Sequence, residues 1–256
     1  MNKRKYAVTL LFLLMMVIST YARNDKTFQR IVQGSPEEPV VLGCEYPEFA
    51  FHFPQMAGNF RLGIQDRGES SWINDSKNII VTEKKGKLTY EVKHKLLKNG
   101  KLIIRVSGLA DSNGLIMEIE SKDTPPTLQL IWSFGGCYGK ILADKRDSRM
   151  KAIYCKDNVF SIEGNCFTCY YGESMKLKVI QGVTPPDSEI RLSDAHQQET
   201  PMSLFQSGKI TDAPALSGST PMLKDKKLYF SFYIQNKKAD YNYFMLPTLF
   251  LQNFNQ

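Results

Sequence analysis

Alternation of apolar and polar residues with a period of two is what most constrains this chain. Leu88-Thr-Tyr-Glu-Val-Lys-His-Lys-Leu96 and Lys101-Leu-Ile-Ile-Arg-Val-Ser107 flank Asn99-Gly100. Successive side chains of a strand point to opposite faces, so such runs suit a half-buried sheet. The Asn-Gly pair predicts a hairpin with a type I′ turn, because both residues tolerate positive φ. Leu115-Ile-Met-Glu-Ile-Glu120 follows across the turn-rich Asp111-Ser-Asn-Gly114, and further strands are expected over 127–134, 159–162, 167–171, 176–180, 189–192 and 228–235. Turn signals recur roughly every 8–12 residues and no stretch keeps a helical period over three turns. An all-β sandwich or barrel is therefore expected rather than βαβ units. The stretch from Thr200 to Lys227, rich in Pro, Ser, Gly and Thr, reads as a loop-like excursion.

Of the 256 residues, 42% are hydrophobic and 23% charged, a globular balance that excludes long disorder, a coiled coil and a multi-span membrane protein. The net charge is +7, but Lys3, Arg4 and Lys5 stand in a first stretch of 22 residues without an acid. The remainder carries 30 basic against 26 acidic residues, +4, which gives little ground for a nucleic-acid partner. Those three bases precede an apolar run from Tyr6 to Ile18, and Thr20 and Ala22 occupy the −3 and −1 positions of a cleavage site. That is the pattern of a secretory signal peptide, and the run is short for a bilayer span. The expected organisation is a signal peptide over 1–22, a short linker over 23–35, and one domain over 36–256 that ends in an aromatic tail, Tyr241–Phe254. The expected location is the periplasm or cell surface of a Gram-negative bacterium, with no membrane association after cleavage.

Chemistry-bearing residues are sparse. Cys166-Phe-Thr-Cys169 has the spacing of a zinc knuckle, but positions i and i+3 of a strand face opposite ways and no fourth ligand is close by. Cys44, Cys137, Cys155, Cys166 and Cys169 are expected to be buried thiols or to form one disulfide, and no metal is expected. His52 and His94 alternate with apolar residues. His196, in Ser193-Asp-Ala-His-Gln-Gln198, sits in a polar cluster suited either to capping a loop or to binding a small polar ligand. No nucleophile elbow, phosphate loop or dinucleotide fingerprint occurs, so no cofactor is expected. Sugar binding uses aromatic faces beside amides and acids, which makes Trp72, Trp132, Tyr138 and Tyr154 candidates alongside their reading as core residues.

Several separated stretches, in order, resemble one family. They are Phe49-Ala-Phe-His-Phe-Pro-Gln-Met-Ala-Gly-Asn-Phe-Arg-Leu-Gly63, Trp132-Ser-Phe-Gly-Gly-Cys-Tyr-Gly-Lys140, Tyr154-Cys-Lys-Asp-Asn158 with Ile162-Glu-Gly-Asn165, Arg191-Leu-Ser-Asp-Ala-His-Gln-Gln198 and Pro201-Met-Ser-Leu-Phe-Gln-Ser207. Together they are similar to domain of unknown function 4450, found in exported bacterial proteins that resemble six-hairpin glycoside hydrolases. The resemblance implies an N-terminal β-supersandwich of galactose-mutarotase-like type, followed in longer members by an (α/α)₆ toroid that bears the catalytic carboxylates. Here too few residues follow Gln235 for a toroid, so no catalytic residue is carried over. The resemblance thus implies a non-catalytic, carbohydrate-related module that binds glycan or supports a separate toroid-bearing partner. Its expected glycan contacts are Trp132, Tyr138, Asp157, Asn158 and His196. Two other readings stay open: a sugar epimerase or mutarotase-like enzyme using His94 or His196 with a carboxylate, and an interaction module pairing, as a homo-oligomer or with another chain, through its aromatic tail.

Overall fold

The structure, a computed structural model, describes residues 28–53, 56–135, 148–156, 158–171, 178–208, 210–224 and 226–255, with backbone alone at Met56, Tyr171 and Lys178. The expected signal peptide lies outside these residues, as do Cys137, Tyr138 and Asp157. The chain forms two antiparallel sheets of eight strands. The first holds β1 (Arg30–Gly34), β2 (Pro39–Gly43), β3 (Glu48–Phe53), β4 (Met56–Asp66), β5 (Glu69–Trp72), β10 (Gln129–Gly135), β14 (Glu189–Asp194) and β15 (Pro214–Pro221). Its order is β1-β2-β3-β4-β10-β15-β14, with β5 paired to one end of β4. The second holds β6 (Asn78–Lys84), β7 (Lys87–Lys93), β8 (Lys101–Gly108), β9 (Gly114–Lys122), β11 (Val159–Glu163), β12 (Cys166–Tyr171), β13 (Lys178–Val183) and β16 (Lys227–Ile234). Its order is β11-β12-β13-β16-β9-β8-β7-β6. Of the sandwich or barrel that the alternation allows, this is the sandwich, the all-β supersandwich that the family resemblance implies.

The core lies where the inner faces meet. Leu88, Tyr90 and Val92 of β7 alternate inward beside Leu102, Ile104 and Val106 of β8. At the centre, Phe60, Trp132, Phe134, Phe167, Phe230 and Phe232 are fully buried. Phe60 and Phe232 stand 4.4 Å apart between ring centroids, and Phe134 stacks on Phe232 at 5.7 Å. Such pairs add about 0.5–1.5 kcal/mol each beyond the area that they bury. Trp132 lies over Gly218, its partner across β10 and β15, where a Cβ would sit 2.2 Å from the indole. Only glycine leaves room for that ring.

Three expectations need correction, and one segment forms a helix that the sequence did not show. Strands β7 and β8 do pair, but the two-residue type I′ turn is absent. Residues 94–100 connect them through a 3-10 turn over Lys95–Leu97, and the positive φ falls on Lys98 (φ 53°, ψ −117°). Leu97 O accepts the Gly100 N–H at 2.9 Å, which makes this a type II′ turn with lysine where glycine is favoured. Gly100 is required for a different reason: a Cβ there would lie 2.5 Å from Lys122 O. The expected linker contains β1, which is paired to β2. The expected excursion after Thr200 contains a short helix, α2 (Pro201–Phe205), and β15, an interior strand of the first sheet. Strand β15 is rich in Ser, Gly and Ala because one face lies under Trp132 and the other under close-packed outer groups. Last, the aromatic tail folds into a helix, α3 (Leu246–Phe254), too short for its period to show in sequence. It packs on the outer face of the second sheet through Leu246 and Phe250, with Ile116, Val183, Tyr233 and Tyr241.

Among the described residues, the outer face of the first sheet is covered in part only. Trp72, Met150, Ala195, Leu204 and Ala215 pack there beneath α2 and a four-residue helix, α1 (Ala152–Cys155). Beside that cover, the face remains open.

Candidate functional site

Strands β3 and β4 build the open part. Their register sets Phe49 opposite Phe60 and Glu48 opposite Arg61. Phe49, Phe60 and Leu62 enter the core, so Glu48, Asn59 and Arg61 necessarily project from the other face. A 3-10 turn over Ile73–Asp75 adds Asn74 and Asp75 from one side. Arg149, ahead of α1, and Gln198, ahead of α2, close the other. The result is a cleft of about 910 Å³.

Its floor is an ordered polar network. The Glu48 side chain is 2% exposed, and its Oε1 accepts from Asn59 Nδ2 at 2.8 Å. Its Oε2 accepts from Asn74 Nδ2. Asn59 Nδ2 donates also to Ser148 O at 3.0 Å. Asn59 Oδ1, equally buried, has no hydrogen-bond partner among the described residues. Buried polar atoms of native proteins are nearly always paired with protein or water, and Asn59 lines this cleft.

Arg61 lies flat on Trp72, its guanidinium carbon 4.1 Å from the ring centroid. Trp72 is held in turn by its indole N–H, which donates to Gln198 O at 2.9 Å. Burial lowers the Arg61 pKa, opposed mainly by the charges of Glu48 and Asp75. Arg61 Nε has no hydrogen-bond partner among the described residues. Below, Cys44 Sγ donates to Tyr46 O at 3.2 Å and Tyr90 OH to Cys44 O at 3.0 Å, which ties down the loop that leads to Glu48. Burial pushes the Cys44 thiol up to about 12. It is thus a structural hydrophobe with a weak donor, not a nucleophile.

Carboxylates, amides and a guanidinium around one cleft suit a ligand with many hydroxyls, each able to donate and accept. None of the three histidines lines it. His94 Nδ1 accepts the Leu96 N–H as a turn cap, His52 Nε2 meets Ser148 Oγ at 3.1 Å, and His196 pairs with Asp212. Among the described residues, neither His94 nor His196 lines this cleft. Cys169 faces the core while Cys166 packs on the other side of β12, and no metal-binding group of His, Cys, Asp or Glu is found among the described residues.

Of the expected contact residues, the three that are described, Trp132, Asn158 and His196, do not line this cleft. Trp132 is wholly buried between the sheets and cannot stack on a sugar. Its strand is interior, and positions 130, 132 and 134 all turn inward. Asn158 is buried and donates from Nδ2 to Pro214 O at 3.0 Å, tying α1 to β15. His196 is exposed, its Nε2 3.0 Å from Asp212 Oδ1, away from the cleft. Tyr138 and Asp157 lie outside the described residues. Sequence reasoning missed Glu48, Asn59, Arg61 and Asn74. The available signal was the pattern Asn59-Phe-Arg-Leu62, where two polar residues capable of specific bonding alternate with core residues.

With a supersandwich and an outer polar cleft defined, the comparisons give the class. The chain belongs to the family described as Domain of unknown function (DUF4450), whose model matches residues 53–253. Among solved structures, it is similar to a bacterial glucoamylase complexed with acarbose, at a TM-score of 0.47 and 10% identity. The match covers 90% of this chain and 40% of that one, so this chain spans well under half of the enzyme's length. No curated protein matches it in sequence.

Proposed function

We propose that this protein is an exported saccharide-binding module, without hydrolytic activity of its own, that receives its ligand in the Glu48–Asn59–Arg61 cleft. The carrying observation is the buried Asn59 Oδ1, without a partner among the described residues, in the lining of a cleft where Glu48 holds the amides of Asn59 and Asn74. Its shape and mixture of donors and acceptors suit hydroxyl-rich ligands. Export is supported by the basic and apolar segments at the N-terminus.

The test is titration of the purified protein with a panel of defined neutral and acidic oligosaccharides, with reducing ends assayed in the same samples. Saturable binding without new reducing ends, weakened about tenfold by Asn59→Ala, is the expected result. New reducing ends would overturn the non-catalytic reading, and no binding across the panel would overturn saccharide recognition itself.

A further inference from the structure

Glu48 and Arg61 are direct cross-strand partners, an arrangement that ordinarily closes as an ion pair with two parallel hydrogen bonds. It does not close here. The two Glu48 oxygens are taken by the amides of Asn59 and Asn74, and Arg61 forms no salt bridge with any described residue. Its guanidinium plane is fixed instead by the buried ring of Trp72. A guanidinium stacked by one face presents its N–H groups edge-on, as a fork matched to a planar carboxylate or to two oxygens of a sulfate. A cation held this way, largely desolvated and with Nε unpaired, is destabilising until an anion arrives. Arg149 and Lys77 stand in the same lining as Arg61, together with the carboxylates of Glu45, Glu48 and Asp75, and Arg61 among these cations is stacked on a buried ring.

We propose that the cleft selects anionic saccharides, with the acidic group of the sugar bound by Arg61 and its hydroxyls by the Asn59 and Glu48 network. The inference rests on the saccharide-binding reading above and names the ligand class within it. Arg61 is the specificity-determining residue, and the Asn59 and Asn74 amides keep Glu48 from neutralising it.

The experiment is calorimetric titration of the purified protein with an oligogalacturonate, with its fully methyl-esterified twin, and with a sulfated oligosaccharide of matched length. The free acid is expected to bind at least about tenfold more tightly than the ester, and its affinity to fall as salt is raised. Preference for the sulfated probe over the carboxylate would support the anionic class and assign the acidic group as sulfate. The acid–ester comparison on the unaltered protein needs no variant. Arg61→Gln should then erase the difference, and Arg61→Lys should restore only part, because an ammonium lacks the planar fork. Equal binding of acid and ester would overturn the anionic assignment while leaving saccharide recognition intact. Binding of none of these probes, nor of neutral oligosaccharides, would remove both.

Discussion

The two sheets bury similar inner faces and treat their outer faces in opposite ways. On the second sheet, Tyr233, Tyr241, Leu246 and Phe250 seal the surface. Even its polar groups are satisfied there: the Tyr241 N–H donates to Tyr233 OH at 2.9 Å, and Tyr241 OH donates to the Asp111 carboxylate. On the first sheet, the part beside Trp72 is lined by a buried acceptor without a partner and a stacked cation without a salt bridge among the described residues. Fully satisfied polar groups rigidify a surface, whereas incompletely satisfied ones cost stability and mark a place for a ligand. On the proposed function, the contrast separates a structural face from a recognition face within one fold.

That separation is open to attack, starting where the effect is largest. Phe250 is buried and stacks on Phe254 at 5.0 Å. Phe250→Ala should cost about 3–5 kcal/mol in urea unfolding and leave oligosaccharide affinity unchanged; a parallel loss of affinity would show the faces to be coupled. Glu48→Gln should cost less, about 1–3 kcal/mol, because one Asn amide then meets a donor instead of an acceptor. It should also weaken binding about tenfold, so intact affinity would move the site elsewhere. At the rim between the faces, Lys98→Gly should stabilise by about 0.5–1 kcal/mol by relieving the positive φ, with no effect on binding.

The smallest effect concerns Asp212. The hydrogen bond from His196 holds its exposed carboxyl below the usual range. A folded-state pKa below the unfolded one contributes stability above the unfolded value, and that contribution disappears as pH falls through the folded value. Asp212→Asn should therefore slightly flatten the loss of stability as pH falls below the ordinary aspartate range, seen in urea midpoints, without touching saccharide affinity.

Much of the architecture was legible because period-two alternation is a local property. Strands β7, β8, β9 and β16 can be read from Leu88, Ile104, Met117 and Phe230 and their spacing. Strand β15 escaped because Ala215, Ser217 and Gly218 are small to fit between Trp132 and the outer cluster, which is information held 80 residues away in the chain. The turn at Asn99-Gly100 misled for a similar reason: Gly100 answers to the backbone of Lys122, not to its own φ. The site was the least legible part. Asn59 and Arg61 look like ordinary solvent-facing residues until Glu48, Asn74 and Trp72 converge on them. Trp132, chosen for its ring beside glycines, is a core residue because Gly218 lies beneath it.

The order of strands has a consequence for how the chain acquires its shape during synthesis. The second sheet receives β6 to β9, then β11 to β13, yet among the described residues the two sets are joined in the hydrogen-bonded sheet through β16, which pairs with β13 on one side and β9 on the other. Until residues 227–234 emerge, that sheet exists as two half-sheets, each with an open edge. A nascent chain of this design must keep both edges from other partners while its last strand is made, and such non-local closure is slow. Stopping synthesis just ahead of Lys227 should therefore yield an aggregating fragment instead of a smaller sandwich, although nearly nine-tenths of the sequence is already present.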